Sequence, residues 1–455
     1  IGLLMKDRYN SDGWKDRGTV ALRMRLYYEQ PGEDRFLGLY DTFVSFKKEG
    51  KRIVKLPSII EGPLVQRVSS DDPSRLVISV RTDVPTQPRI RLASGEEYIA
   101  PTKARWHEIP VTGLKPNHGY RYTVNVGGLR SAEYRIKTAP QKGAARFRFG
   151  YAGDSRSGMG GGERSIMAVN HRVLEGLFSV AYRKDVDLML FGGDLINGYT
   201  SSPIDFRNQL HSFKQAAAGF WSERPFYTAL GNHEALLRSF KSDNPRRPIA
   251  LDRWPYDTES SEAVFGAELV QPTNGPEPSD PRRPTYKENV YSFQYGTLKA
   301  IAFNNNYWIC KKAEKFGGSP EGYLLADQLA WIKKEVAKAE ADPTVKHIVL
   351  FAQEPLFPNS GHVKDGMWYH GNNAPRAHIV DKKTGELVPD GPGILEVRQE
   401  LLASLGGSKK VLAVLGSDEH AYHRMLVTNQ VPIGDLKLDD PDGNGIVCEK
   451  DGPCS

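Results

Sequence analysis

Four short segments place carboxylates, an amide and imidazoles directly after apolar runs. They are Gly-Asp-Ser-Arg at Gly153–Arg156, Gly-Gly-Asp at Gly192–Asp194, Gly-Asn-His-Glu at Gly231–Glu234 and Ser-Asp-Glu-His at Ser417–His420. Asp154 and Asp194, each at the tip of a strand, can share hard cations. Asn232 adds a neutral oxygen and His420 an imidazole, so the set reads as a site for one or two divalent metals. His233 stands next to Asn232, where an imidazole can give a proton to a leaving-group oxygen. Arg156 offers a forked donor for non-bridging phosphate oxygens. Two metals about 3.5–4 Å apart would clamp a phosphoryl group and generate hydroxide at neutral pH. Taken singly, each residue has an ordinary explanation. An Asp after a strand can be a helix N-cap, Arg156 can form a surface ion pair, and His233 can be a structural hydrogen-bonding residue. The recurrence at successive strand ends argues for chemistry, and for a metal cluster that handles phosphate.

Such groups need rigid elements behind them. From Arg146 the chain alternates strand and helix signals. Strands are expected at Phe147–Ala152, Val186–Phe191, Phe226–Leu230, Lys346–Ala352 and Val411–Leu415. Helical spacing covers Ser165–Tyr182, Ile204–Phe220, Gly322–Ala341 and Glu396–Ser404. Repeated strand–helix units imply a parallel or mixed sheet with helices outside, and functional groups at the carboxyl ends of its strands. Two stretches interrupt this texture. Ser239–Glu288, rich in Pro, Asp and Arg, reads as a long surface excursion. Asn359–Pro392 carries His362, Trp368, Tyr369, His370 and His378, and reads either as a substrate loop or as surface decoration.

The first 140 residues have a different texture. Residues 1–56 alternate like strands and form a β-rich extension. Residues 57–140 carry short β-rich runs at sandwich spacing, among them Leu76–Val80, Arg89–Leu92, Glu108–Val111 and Tyr120–Val124, with turn chemistry between them. Thr138–Gly143 reads as a linker. The fold class expected is therefore multidomain: an all-β sandwich, then an α/β domain over residues 145–430, then a tail over residues 436–455. At 455 residues the chain can build two or three domains. A formal charge of +6 suits an anionic substrate or surface but gives no basic run of the nucleic-acid-binding kind. No apolar stretch is long enough to span a bilayer. Of three cysteines, Cys448 and Cys454 can close a terminal loop in an oxidising compartment, or all three, with Cys310, can be free thiols.

The order Gly-Asp, Gly-Asp, Gly-Asn-His-Glu and a final His-Ala-Tyr-x-Arg at His420–Arg424 resembles the calcineurin-like metallophosphoesterases, in particular those similar to purple acid phosphatases. Trp106–Pro116, Tyr120–Tyr122 and Lys137–Pro140 resemble the fibronectin type III-like module that precedes their catalytic domain. Tyr291–Gly296 resembles their hairpin before the strand that here ends at Asn304–Asn306. The resemblance implies two central mixed sheets flanked by helices. It also implies Asp194 bridging two metals, Asp154 and His420 on the first, Asn232 on the second, and His233 near the leaving group.

Four positions depart from that pattern. Arg156 stands where the family has His or Gly. Asn197 stands where the purple members have a tyrosine, with Tyr199 two positions late. Gln353 and Asp418 each replace a histidine. The second position would then see only oxygen donors, from Asp194, Asn232, Gln353 and Asp418, which favours manganese, magnesium or calcium and predicts an asymmetric centre. The first keeps a carboxylate–imidazole mixture able to hold manganese, iron or zinc. His362, His370 and His423 are the imidazoles available to replace a missing ligand. The implied activity is a secreted or surface metal-dependent phosphoesterase acting on a phosphomonoester or phosphodiester by attack of metal-bound hydroxide. The alternative is a degenerate scaffold kept for assembly or adhesion, with a self-assembly or cell-surface partner.

A separate signal closes the chain. Asp440, Asp442 and Asn444 with Gly445 and the Ile446 carbonyl have the spacing of a calcium loop, with Glu449 or Asp451 as its last ligand. It resembles the loop of extracellular bacterial excalibur modules and implies calcium outside the cell; an acidic flexible tail is the plain alternative.

Overall fold

A computed structural model describes residues 18–30, 33–156, 168–240, 249–252, 254–359 and 361–427. The chain forms two compact units. One comprises Ile1–Ala139, Ser157–Asp187 and His211–Phe226, the other Pro140–Arg156, Leu188–Leu210 and Tyr227–Ser455. The calcium-loop residues, Cys448 and Cys454 lie outside the described residues.

The first unit is built on antiparallel strands. Thr19–Gln30, Glu33–Glu49 and Arg52–Lys55 make a three-stranded sheet. A second sheet orders Ile59–Gln66, Leu76–Thr86 and Ala104–Val111, and a five-stranded one contains Arg89–Leu92, Glu97–Ile99, Gly119–Val126, Leu129–Arg130 and Tyr134–Lys137. The alternation in Ala104–Val111 buries His107, Ile109 and Val111 and exposes Glu108 and Pro110, as a one-faced strand should. Leu76–Val80 is buried throughout, so it sits in the interior of its sheet. The helix His171–Arg183 and the C-terminal half of Pro203–Trp221 belong to the same unit, where Phe178 meets Phe220 and Phe226.

The second unit holds two further sheets. In one, Phe149–Ala152 and Leu188–Phe191 run parallel, followed in order by Phe226–Thr228. In the other, Tyr291–Tyr295 and Leu298–Ala302 form the expected hairpin, and His347–Phe351 and Val411–Leu415 continue it in parallel. Leu188–Phe191 is buried at all four positions, the signature of a strand covered on both faces. A core of Ile301, Phe303, Leu329, Ile332, Ile348, Leu350 and Leu401 joins the second sheet to the helices Ala326–Ala341 and Ile394–Gly406. Each such side chain contributes about 1.5–3 kcal/mol on burial.

Three sequence expectations need correction. The helix expected from Gly322 starts at Ala326. Gly322 has φ +80°, and a Cβ there would strike the Gly366 carbonyl, so the segment is pinned as a turn before Leu325 caps the helix. Ser239–Glu288 is more than a surface excursion. It includes the strands Leu237–Phe240 and Ile249–Asp252 and the helix Ser261–Glu268, where Ser261, Glu262, Val264 and Phe265 are buried. Asn359–Pro392 contains a hairpin of Ala377–Val380 and Leu387–Asp390, and Trp368 and Tyr369 pack against the core. The reason is common to the last two: polar composition suggested solvent, but the few apolar residues present were enough to anchor the chain.

Candidate metal centre

Among the described residues, the metal ligands expected from the sequence follow the C-terminal ends of strands in two sheets. Asp154 follows Phe149–Ala152, Asp194 follows Leu188–Phe191, and Gly231–Glu234 follows Phe226–Thr228. Gln353 follows His347–Phe351, and Asp418 and His420 follow Val411–Leu415. The backbone is forced into unusual shapes there. Asp154, Asp194, Asp418 and His420 have φ of 57°, 52°, 70° and 51°. Left-handed backbone at non-glycine residues costs free energy, and such residues collect where geometry serves function. Gly153 and Gly192 are needed for closeness: a Cβ on either would collide with the Ser417 hydroxyl, which itself bonds to the Tyr151 hydroxyl at 2.9 Å.

Hydrogen bonds knit the strand ends together. The Asp154 carboxylate accepts from Gln353 Nε2 at 3.0 Å and from the Asp418 amide at 3.0 and 3.1 Å. Asp194 Oδ1 accepts from the His233 amide at 3.1 Å. Glu234, whose part was not read from the sequence, is wholly buried and accepts backbone amides of Asp194, Ile196 and Gly231 at 2.9, 3.1 and 2.8 Å. It fixes the loop that carries Asp194 against the loop that carries Asn232 and His233. Only its place three residues after Gly231 hinted at that role.

The donor set fits a cation. Ligand atoms of Asp154, Asp194 and His420 lie within 4.8 Å of one another. Asp194 Oδ2, Asn232 Oδ1 and Gln353 Oε1 are buried acceptors with no hydrogen-bond partner. Buried oxygens left without donors carry a desolvation cost that a metal ion would remove. Burial first, then the Glu234, Asp154 and Asp418 carboxylates, push Asp194 well above the usual carboxylate range. Burial also raises Asp154, against the hydrogen bonds it accepts. Like charges gathered in a buried place mark a site built for a positive ion.

Arg156 stands inside this group. Its guanidinium contacts Nε2 of both His233 and His420, and its Nε is 3.9 Å from Asp194 Oδ2. His233 Nδ1 lies 2.6 Å from the Asn197 carbonyl, which can only accept, so the proton sits on Nδ1 and Nε2 carries the lone pair. Burial and the neighbouring Arg156 charge hold this ring neutral, down to about 3. Tyr199 packs edge-on against it, with ring centres 4.5 Å apart.

The remaining predicted residues divide. The Asp418 carboxylate meets His362, Nδ1 to Oδ2 being 2.8 Å, and so draws His362 into the site's wall. Tyr369 donates to the Glu321 carbonyl at 2.9 Å, and Trp368 lies against the Arg398 guanidinium 5.0 Å away, so both are braces of their loop. His370 and His423 are exposed.

Residues 159–383 match the calcineurin-like phosphoesterase family. Among solved structures the chain is similar to a purple acid phosphatase from yellow lupin (Lupinus luteus) seeds, at 14% identity and a TM-score of 0.49, with 80% of this chain and 62% of that one covered. It is also similar to PhoD, at 14% identity and a TM-score of 0.49, covering 78% of this chain and 71% of that one. A dimetal phosphatase from Danio rerio follows at 11% identity and a TM-score of 0.36, covering 60% and 82%. The chain thus spans less than two thirds of the lupin protein's length. No curated protein matches it.

Proposed function

We propose that this chain hydrolyses phosphate monoesters or diesters with the help of divalent metal ions. The observation that carries the reading is the set of orphaned buried oxygens on Asp194, Asn232 and Gln353, gathered with Asp154 and His420 at the strand ends. Asp154, Asp194 and His420 would hold one ion of manganese, iron, zinc or magnesium. Bound there, it would supply positive charge to the phosphoryl group and lower the pKa of water.

The rest falls to the chain itself. Arg156 rests on two imidazoles and turns its fork to the non-bridging oxygens when a phosphate enters. His233, fixed by Asn197 and Tyr199, presents Nε2 to the leaving oxygen. It rests neutral, so the proton it delivers is gained only when the substrate's negative charge replaces the Arg156 contact. Glu234 keeps the Asp194 and His233 loops in register. In the same proposal the chain works outside the cell, with a fibronectin type III-like module at residues 57–140 and calcium at residues 440–451.

The test is turnover of p-nitrophenyl phosphate and bis(p-nitrophenyl) phosphate by the full chain with manganese. Asp194→Asn should lower kcat by at least about 10³-fold with an unchanged circular dichroism spectrum. Equal turnover in that variant would overturn the reading. One observation favours a second reading, a scaffold without turnover: Gln353 gives its amide to Asp154 and Asp418 pairs with His362. That reading wins if wild type is inactive and Gln353→His with Asp418→His creates activity.

A further inference from the structure

The pattern implied by the resemblance places a second ion among Asp194, Asn232, Gln353 and Asp418, yet two of these side chains are otherwise engaged. Gln353 donates to Asp154, and the Asp418 carboxylate is in contact with His362. We propose that Glu354, His362 and Asp418 form a divalent-cation site of their own, offering two carboxylate oxygens and one imidazole nitrogen. The proposal rests on the phosphoesterase reading only in that both ions would serve one site.

The three ligand atoms lie within 4.8 Å of one another, and each comes from a fixed segment. Glu354 is held through its backbone, its amide donating to Asn305 Oδ1 at 3.2 Å and its carbonyl accepting from Asn305 Nδ2 at 2.9 Å. Asp418 is tied to Asp154 by its amide. His362 stands on the short turn Gly361–Lys364.

Hydrogen bonding inside the cluster is incomplete. His362 Nδ1 is 2.9 Å from Asp365 Oδ1 and 2.8 Å from Asp418 Oδ2. One N–H cannot serve both acceptors well, and the bond is made to Asp365, leaving Asp418 Oδ2 in contact but without a hydrogen bond. Asn306 supplies an independent sign. Its side chain is 1% exposed and stands beside Glu354, yet neither amide atom has a hydrogen bond of proper geometry.

Glu354 and Asp418 are 3% and 1% exposed, and the His362 imidazole stands between Asp418 and Asp365. A mixed oxygen and imidazole set suits manganese, iron or zinc.

The experiment counts ions on the full chain. Protein stripped with a chelator is dialysed against manganese, and bound metal per chain is measured by elemental analysis. Wild type should hold two ions. Asp194→Asn should lose one, and His362→Ala and Glu354→Gln should each lose the other, with circular dichroism confirming folded protein. Retention of both ions by His362→Ala overturns the proposal, and so does a wild type whose single ion is lost in Asp194→Asn. Failure of the phosphoesterase reading would appear elsewhere, as undiminished hydrolysis by Asp194→Asn. Manganese anomalous scattering from wild-type crystals gives a count free of variants: a peak bounded by Glu354, His362 and Asp418 supports the site, and a peak only at Asp194 rejects it.

Discussion

Glu61 and Asp194 are both buried carboxylates, one in each compact unit, and their neighbours carry opposite charge. Glu61 accepts from the fully buried Lys214 Nζ at 2.7 Å, from His211 at 2.7 Å, and faces Arg81 at 3.6 Å. Burial alone would raise its pKa, but Lys214, His211 and Arg81 together hold it down to about 2. Lys214 and Arg81 also lie over the Trp106 ring, 5.3 and 4.7 Å from its centre. Asp194 has the reverse surroundings: burial, Glu234, Asp154 and Asp418 all raise it, and the nearest cation, Arg156, is 3.9 Å away. The first carboxylate has its cations built into the chain. The second is arranged as if one were still to come. Burial of a charge therefore does not identify a site; the sign of what surrounds it does.

The comparison breaks most visibly if Glu61 is neutralised. Glu61→Gln strands the buried Lys214 charge and should cost about 3–5 kcal/mol in denaturant unfolding at pH 7. A loss below about 1 kcal/mol would mean that Lys214 finds other partners and that the network is ornamental.

Acid should act on the same residue. The Glu61 pKa is depressed in the folded chain, from 4.5 to about 2. Its contribution is present in full above pH 4.5 and disappears as pH falls through 2. The size is about 3 kcal/mol, with the stability of wild type falling across that window and that of Glu61→Gln staying nearly flat. Parallel curves for the two proteins would show that the acid sensitivity lies elsewhere.

Asp194 should respond with the opposite sign. In the metal-free chain Asp194→Asn removes a repelled charge while Oδ1 can still accept from the His233 amide. Thermal stability should rise by about 1 kcal/mol. Added manganese should reverse the order, because only wild type gains from binding. A metal-free variant less stable than wild type would place Asp194 in the same structural class as Glu61.

This contrast also explains what the sequence could reveal. The strand tips were legible because an apolar run, a glycine and a carboxylate are contiguous, as at Leu188–Asp194. Asp154, Asp194 and Asn232 follow strands of one sheet, and Gln353, Asp418 and His420 follow strands of another. The partners that decide each role were not contiguous. Glu354 was passed over as the residue after Gln353, although its carboxyl meets Asp418 and His362 from a distant loop. His362 reads from the sequence either as part of a substrate loop or as a replacement ligand, since nothing local links it to Asp418. The Glu61, Lys214 and His211 network joins positions more than 140 residues apart, and no periodicity announces it. Texture misled where packing overruled composition, as in the buried helix Ser261–Glu268.

The smallest expected effect concerns Tyr199, which braces His233 without touching any predicted ligand-bearing carboxylate. Its amide donates to the His233 carbonyl at 3.2 Å, its ring meets the imidazole edge-on, and its hydroxyl donates to Glu321 Oε1 at 3.2 Å. If the ring's role is to hold His233 at the angle that Asn197 sets, the hydroxyl is dispensable. Tyr199→Phe should then keep kcat within about 3-fold, while Tyr199→Ala, which frees the imidazole, should lower kcat about 10-fold with little change in KM. Rescue by phenylalanine separates positioning from chemistry. Were Tyr199→Phe to fall as far as Tyr199→Ala, the hydroxyl and its Glu321 contact would matter more than the ring. Tyr199 would then belong to the charged cluster around Glu354 and not to the frame around His233.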